Sequence, residues 1–351
     1  MTAGLLALLA LAFLAANGLT RLLCSPASRL YHLDHPNERS LHSEPLPRTG
    51  GLAIFGSVLV GIIVTVALGE GAIFQANGIL WILSMALLVG AVSFWDDRVG
   101  LSPSLRLGVQ ALAAGGVTWG AGLTVTTIPV PFLGSLALGW LAVPMTMLFL
   151  MWMANLYNFM DGMDGFAGGM TVIGCGLLGY LGWQANHPVI SVIATLQSAA
   201  AAGFLIYNFP PAKIFMGDVG SVSTGFLTAA LIVLGCRDGV FDLWVPLIIF
   251  SPFILDATVT LARRALHQGK VWEAHRDHYY QRLVLSGWGH RKTVLTEYGL
   301  MVLCGVLAWG YQVASNHARL AILGLWGLLM ISAMVGVHLA ERTAACLKSH
   351  G

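Results

Sequence analysis

Long apolar runs alternate with short polar connections along nearly the whole chain. The runs lie near 3–23, 51–69, 78–95, 104–121, 138–154, 166–183, 189–207, 219–236, 243–262, 294–312 and 319–340. A helix crosses the hydrocarbon core of a bilayer with about 20 mostly apolar residues. In lipid the backbone must satisfy its own hydrogen bonds, so such runs fold as helices. Only 10% of the 351 residues are charged and 57% are hydrophobic. A soluble domain carries roughly 25% charged residues, so this chain lacks the means to cover itself against water. It reads as all-α and polytopic, a single transmembrane domain over 1–351 with about eleven spans.

Smaller features fit that frame. The stretch "LTVTTIPVPFLGSLALG" carries β-branched residues and prolines, which predict a small extracytoplasmic β-hairpin near 122–137. The N-terminal run lacks a basic leader, and Arg21 follows it, so it reads as a retained first span. Cys24, Cys175, Cys236, Cys304 and Cys346 show neither metal nor disulfide spacing.

Charge supplies the orientation. When the connections are assigned alternately to two sides, one side holds 24–50, 96–106, 155–165, 208–218, 263–293 and the C-terminal tail. That side collects every Lys and Arg except Arg237 and Arg319. Basic residues concentrate on the cytoplasmic side, so the N-terminus is expected outside and the C-terminus inside. The same side collects the polar clusters "WDDR", "NLYNFMDGMDG", "NFPPAKIFMGDVGS" and "EAHRDHYYQRL". Their convergence on one membrane face is the main argument for an active site.

In "NLYNFMDGMDG", Asn155, Asn158, Asp161 and Asp164 recur every third residue. A step of three advances about 300° on a helix, so an unbroken helix cannot aim all four at one point. Gly162 and Gly165 predict a break that lets them converge. An Asp at a span centre costs about 2.5–3.5 kcal/mol, so this ladder implies an interfacial place, a partner or a cation. A capped helix end needs one such residue, not four. Asp96 and Asp97 repel each other and call for a cation, a base such as Arg98 or Arg106, or a raised pKa. Asp218 lies between Gly217 and Gly220 at the mouth of a span, where a helix N-terminus offers free N–H groups to an anion. An Asp there suits Mg2+, which takes one or two carboxylates plus substrate phosphates. "HRDHYYQRL" supplies His275, Arg276, His278 and Arg282. The two histidines have no third soft ligand nearby, so phosphate contact is a better reading than zinc. Asp256, inside the ninth run, reads equally as a functional acid and as a helix-to-helix hydrogen bond.

With these motifs in place, the chain resembles the polyprenyl-phosphate N-acetylhexosamine-1-phosphate transferases, the MraY- and WecA-like glycosyltransferase family 4. The likeness runs over about residues 20–290. It rests on "HSEPLPRTGG", Asp96–Asp97, the N-x-x-N-x-x-D-G-x-D-G run of 155–165, and "FMGDVGS" preceded by Asn208. The resemblance implies transfer of an N-acetylhexosamine-1-phosphate from a UDP-sugar to undecaprenyl phosphate, with UMP leaving. It implies Mg2+, or Mn2+ in its place, on Asp218. Asn155, Asn158, Asp161, Asp164 and Asn208 would form the nucleotide pocket and its support. Asp96 and Asp97 would face the lipid phosphate, with Arg48 and Arg106 contacting phosphate. In the last cytoplasmic loop, many members carry H-x-H-H. Here only the first His remains, as His278, with Tyr280 and Gln281 at the other two places and His275 three residues earlier.

His278 would contact the pyrophosphate, helped by Arg276 and Arg282, and His275 would help read the sugar. That loop looks most like the O-antigen-initiating WbpL-type branch and least like the peptidoglycan branch. The expected setting is the bacterial inner membrane, with membrane lipid around the chain, a homodimer as a compatible state, and no nucleic-acid partner. A transporter of anionic solutes and a non-catalytic lipid-binding protein are the alternative readings.

Overall fold

The computed structural model describes residues 3–36, 41–42, 44–75, 78–267 and 275–349 of the chain. Parts of two polar segments, 37–40 and 43 of the first loop and 268–274 of the last, lie outside the described residues. Each apolar run falls on a helical stretch. In chain order these are α1 (Ala3–Leu23), α2 (Gly50–Ala67), α3 (Ile79–Val99), α4 (Pro103–Gly115), α5 (Ala142–Met160), α6 (Phe166–Met170) and α7 (Gly176–Gln184). Then follow α8 (Pro188–Asn208), α9 (Gly217–Arg237), α10 (Trp244–Ile249), α11 (Ser251–Leu266), α12 (Tyr279–Leu283), α13 (Gly289–Val313) and α14 (Asn316–Ser349). α6 and α7 form one continuous stretch through a wider turn at 171–175. α12 and α13 meet at a kink where Gly287 takes a positive φ.

Among the described residues, nine helices are long and apolar enough to cross a membrane. Two of the eleven runs do not qualify as single spans. The run near 104–121 carries Arg106 and Gln110 and ends in a π-turn. The run near 243–262 is split at Phe250 into α10 and α11, with Pro252 in the first turn of α11. Proline is tolerated there because its missing N–H would have had no partner in that turn. The hairpin expected near 122–137 is present as β3 (Thr127–Val130) paired antiparallel with β4 (Gly134–Ala137), in the register Thr127↔Ala137 to Val130↔Gly134. A second, two-residue pair joins β1 (Leu33–Asp34) to β2 (Leu46–Pro47) in the first polar loop.

The axis of the bundle is α9. Its 94% buried span packs against α2, α3, α5 and α8. The sequence "GDVGSVSTGFLTAALIV" permits this because its small residues let neighbouring backbones approach. A Cβ on Gly225 would lie 2.5 Å from the Met153 carbonyl of α5. At the start of α9 the approach is tighter. The Gly50 and Gly51 N–H groups donate to the Phe215 and Met216 carbonyls at 3.0 and 2.7 Å, and Phe215 N–H donates to Pro47 C=O at 2.8 Å. "RTGG" and "FMGD" are thus a single interlocked crossing.

The connections separate cleanly between two ends of the bundle. At one end, side chains of the 45–51, 96–106, 155–165, 208–218 and 275–282 segments bond to one another, as described below. At the other, Trp244 Nε1 donates to Pro129 C=O, Gln312 to Val240 C=O, and His187 meets Asp238 at 3.0 Å. Arg237 and Arg319, the two basic residues separated from the rest by the sequence, both lie at this second end.

The crossing of α2 over α9 generates a prediction. An added Cβ on Gly51 would sit 2.2 Å from the Gly220 Cα, a backbone atom that cannot swing aside. Gly51→Ala is expected to lower the thermal unfolding midpoint in detergent, at a cost of about 1–3 kcal/mol. Gly56→Ala, where nothing lies within 4 Å, should leave the midpoint unchanged or slightly raised.

Candidate active site

The interlocked crossing explains where the first acid goes. Asp97 closes the last turn of α3 and is buried. Its Oδ1 accepts the Asp218 N–H at 3.1 Å and its Oδ2 accepts the Val219 N–H at 3.0 Å. These are first-turn amides of α9, which have no partner within their own helix. Arg48 donates to the same carboxylate through Nε at 3.0 Å and through a terminal nitrogen. Burial pulls the Arg48 pKa down, but Asp97 outweighs it and holds the guanidinium charged. Gly217 must be glycine here. Its φ is +70°, and a Cβ would lie 2.1 Å from the Arg48 carbonyl. The helix N-terminus read in the sequence as a seat for an external anion is therefore occupied by the protein's own carboxylate. Both oxygens of Asp97 are engaged within the protein, where they support the start of α9.

Asp96 is turned the other way. Its Oδ1 accepts the Leu101 N–H at 2.7 Å, and its Oδ2 accepts from Arg106 at 3.0 Å. Arg106 also reaches Asp218 Oδ2 at 3.5 Å. Asn158 donates to Asp218 Oδ1 at 2.8 Å and lies 3.2 Å from Ser221 Oγ. Asp161 caps the C-terminus of α5 close enough to feel these charges. Burial raises its carboxyl pKa well above the usual range, and Asp218 and Asp97 push it further.

The ladder of four Asx residues divides into two roles. α5 ends at Met160, inside the ladder, and Gly165 turns the chain with a φ of +75°. Asn158 and Asp161 belong with Asp218. Asn155, one turn deeper, donates to Gln110 Oε1 at 2.6 Å and ties α5 to α4. Asp164 accepts the Ala212 N–H at 3.0 Å and lies 3.1 Å from His290 Nδ1. Asn208 accepts from Gly165 N–H at 3.0 Å and donates to Ile214 C=O at 2.9 Å. These three brace the loops that carry the other two.

A second cluster stands beside the first. Asp256 of α11 accepts the N–H groups of Tyr279 and Tyr280 at 2.9 and 3.1 Å. His278 Nδ1 lies 3.1 Å from Asp256 Oδ1. A carboxylate at Nδ1 favours the proton on that nitrogen and leaves Nε2 as the acceptor. His275 sits 4.9 Å from the His278 ring. Burial, with His278 and Arg264 adding to it, pushes the His275 pKa down to about 4. His275 is thus neutral near pH 7 and acts as a hydrogen-bonding group rather than a cation. Arg276, between the two histidines in sequence, is half-buried. Arg282 is placed differently from the phosphate-contacting role expected of it. It forms a two-pronged ion pair with Glu341 of α14, its Nε at 2.6 Å from Oε1, and stacks over Tyr279. The charge is used to dock the C-terminal helix.

The arrangement suits a divalent cation. Asp96, Asp97, Asp161 and Asp218 against Arg48 and Arg106 leave a formal charge of −2 in the inner group. Asp218, Asp161 and the Asn158 amide oxygen are hard oxygen donors. Among the described residues no group of three or more His, Cys, Asp or Glu closes into a ready-made cage. Mg2+ binds through one or two carboxylates and fills its shell with waters and substrate phosphate oxygens. Two recesses of about 240 and about 310 Å3 lie elsewhere, along the apolar flanks of α7.

Sequence reasoning passes over Gln110 and His290, and leaves Asp256 open between a functional acid and a helix-to-helix hydrogen bond. Gln110 and Asp256 are buried polar residues inside apolar runs, the one cue that could have ranked them higher. His290 lies in "SGWGHRK", which reads as an ordinary basic span end. The two acids beside α9 now make opposite predictions for stability. Asp97→Asn leaves Arg48 and an α9 amide short of a partner, and should cost about 2 kcal/mol or more. Asp218→Asn relieves crowded negative charge and keeps the acceptor for Asn158. Its unfolding midpoint should stay level or rise.

The comparisons with known proteins fall on the same residues. The family described as "Glycosyl transferase family 4" matches residues 79–236, which hold Asp96, Asp97, the ladder and Asp218. A Bacillus subtilis protein named "Probable undecaprenyl-phosphate N-acetylglucosaminyl 1-phosphate transferase" is 33% identical over 78% of this chain and 75% of its own. The decaprenyl-phosphate N-acetylglucosaminephosphotransferase of Mycobacterium tuberculosis is 32% identical over 84% of this chain and 78% of its own. The phospho-N-acetylmuramoyl-pentapeptide-transferase of Halalkalibacterium halodurans is 29% identical over 75% and 82%. With an extended relative above 30% identity and these motifs aligned in space, the chain belongs to glycosyl transferase family 4.

Proposed function

We propose that this protein transfers an N-acetylhexosamine-1-phosphate from a UDP-sugar to undecaprenyl phosphate. One observation carries the reading: Asp96, Arg106, Asp218, Asn158 and Asp161 converge at a single end of an otherwise apolar bundle. A lipid phosphate held in the membrane and a nucleotide sugar dissolved in water can meet only at such an interface. We place that end on the cytoplasmic side of the bacterial inner membrane, with the N-terminus outside, because the basic connections gather there. The relatives named for N-acetylglucosamine phosphate transfer support the sugar class.

In this reading an oxygen of the lipid phosphate attacks the β-phosphorus of the donor. The bond from that phosphorus to the bridging oxygen breaks, and UMP leaves with the bond electrons. The product is a lipid-pyrophosphate-linked sugar. A phosphate monoester is already largely ionised near neutral pH, with a second pKa of about 6, so the attack needs little help from a base. It needs placement and charge compensation. Asp218 and Asp161 would hold Mg2+, or Mn2+ in its place, which supplies charge neutralisation on the pyrophosphate. Asn158 fixes the rotation of the Asp218 carboxylate. Arg106, bridging Asp96 and Asp218, stands where the incoming phosphate would exchange with a carboxylate partner. His278, held by Asp256 through Nδ1, would contact the donor pyrophosphate. The last loop, with His275 in place, fits the first membrane step of O-antigen or a related surface polysaccharide.

The test is purified protein in detergent with undecaprenyl phosphate, Mg2+ and a panel of UDP-N-acetylhexosamines. UMP and a lipid-pyrophosphate-sugar should appear with one donor and stop on chelation. Asp218→Asn should lower turnover by about 10²–10³-fold or more while the protein stays folded. Silence from every donor with folded wild type, or full activity in Asp218→Asn, overturns the assignment.

A further inference from the structure

We infer that Tyr280 is a positioning residue that sets Asp161 against His278, and that Gly162 is glycine because of the Tyr280 hydroxyl. The inference rests on the transfer reaction proposed above. Tyr280 is fully buried. Its hydroxyl donates to the Phe159 carbonyl at 3.0 Å. That carbonyl lies in the last turn of α5, where helix carbonyls have no partner of their own. The backbone N–H of Tyr280 donates to Asp256 Oδ2 at 3.1 Å, on the carboxylate that also meets His278 Nδ1. The Tyr280 ring stacks with His278 at 5.9 Å and packs on Phe166 at 4.9 Å. One side chain therefore joins the His278 cluster to the end of the helix that carries Asn158 and Asp161.

Gly162 follows Asp161 directly. Its φ is not in the left-handed region, so the backbone there does not require glycine. A Cβ would instead meet the Tyr280 hydroxyl oxygen at 2.3 Å, with the ring carbon that bears it at 3.4 Å and Gln281 Nε2 at 3.7 Å. Remove the hydroxyl and an alanine fits at ordinary contact distance. The two positions are coupled through a single oxygen atom. In "HYYQRL" the tyrosine reads from sequence as an aromatic in place of a histidine. In the fold it is the bolt between the donor-side loop and the histidine loop.

The experiment is a double-mutant cycle on the full chain in detergent, with Tyr280→Phe, Gly162→Ala and the pair. Tyr280→Phe should raise the KM for the UDP-sugar about fivefold, as expected for one buried hydrogen bond, and leave the KM for undecaprenyl phosphate unchanged. Gly162→Ala should lower both the thermal midpoint and turnover in the tyrosine background, and cost nothing further in the phenylalanine background. An equal penalty in both backgrounds, or a fall in kcat alone with both KM values unchanged, overturns the inference. The thermal arm needs no turnover. A wild type silent with every donor would sink the transfer reading, and the midpoints would still decide the Tyr280–Gly162 coupling.

Discussion

Asp97 holds the N-terminus of α9 with both carboxylate oxygens, and Arg48 holds Asp97. Through those bonds the end of α3, the start of α9 and the loop before α2 share one fixed geometry. The interaction is strong for ordinary reasons. A carboxylate at a helix N-terminus satisfies unpartnered amides and lies at the positive end of the helix dipole. The arginine supplies a charge-assisted bond to the same group. Everything else in the site is referred to this point. Asp218 is the residue whose N–H is captured, so its side chain leaves from a backbone that cannot drift. Asp96 is the residue before the cap, so its direction is set by the same turn.

Much of this was legible in the sequence, and the limits have physical causes. Hydrophobic run length located the long helical stretches, because a lipid-facing helix must be apolar over its whole length. It missed the short α12, which lies in a polar connection. It could not show that the run near 243–262 breaks at Phe250, since proline near a helix start and proline inside a helix look alike in one dimension. The glycine-rich ladder announced a helix break, and α5 does end within it. What the ladder could not announce was its division of labour. Asn155 and Asp164 match Asn158 and Asp161 in type and spacing, yet they bond to Gln110 and to the Ala212 amide. Only the partner distinguishes a brace from an active group, and the partners lie tens of residues away. The same holds for Arg282: its sequence neighbours are histidines, but Glu341 lies closer in space.

The charge balance of the inner group explains why the site is acidic although its proposed substrates are anionic. Four carboxylates and two guanidiniums would repel a pyrophosphate if nothing else were present. In the proposed reaction they would attract a divalent cation, and the cation would in turn attract the phosphates. The two arginines are pre-engaged with carboxylates, which keeps them ordered and lowers the rotamer entropy lost when phosphate arrives. Asp161, with its pKa raised by burial and by its neighbours, reports the same excess of negative charge from within.

A reaction that depends on placement rather than on a covalent partner puts unusual weight on braces. An in-line displacement tolerates little misalignment, and misplacement by about 1 Å can cost on the order of a hundredfold. The site answers with bonds between segments rather than within them. Asn208 pins Gly165 to Ile214, Gln110 pins Asn155, and Tyr298 donates to the Gly165 carbonyl at 2.6 Å. Tyr280 closes the remaining gap between the carboxylates and the histidine loop. Each brace ends on a backbone atom or a buried amide, so none can be relaxed by a surface rotamer change. The polar residues that looked extravagant in so apolar a chain are therefore mostly the frame. Even the group where the phosphates are proposed to meet, Asp96, Arg106, Asp218 and Asn158, is held by bonds between segments.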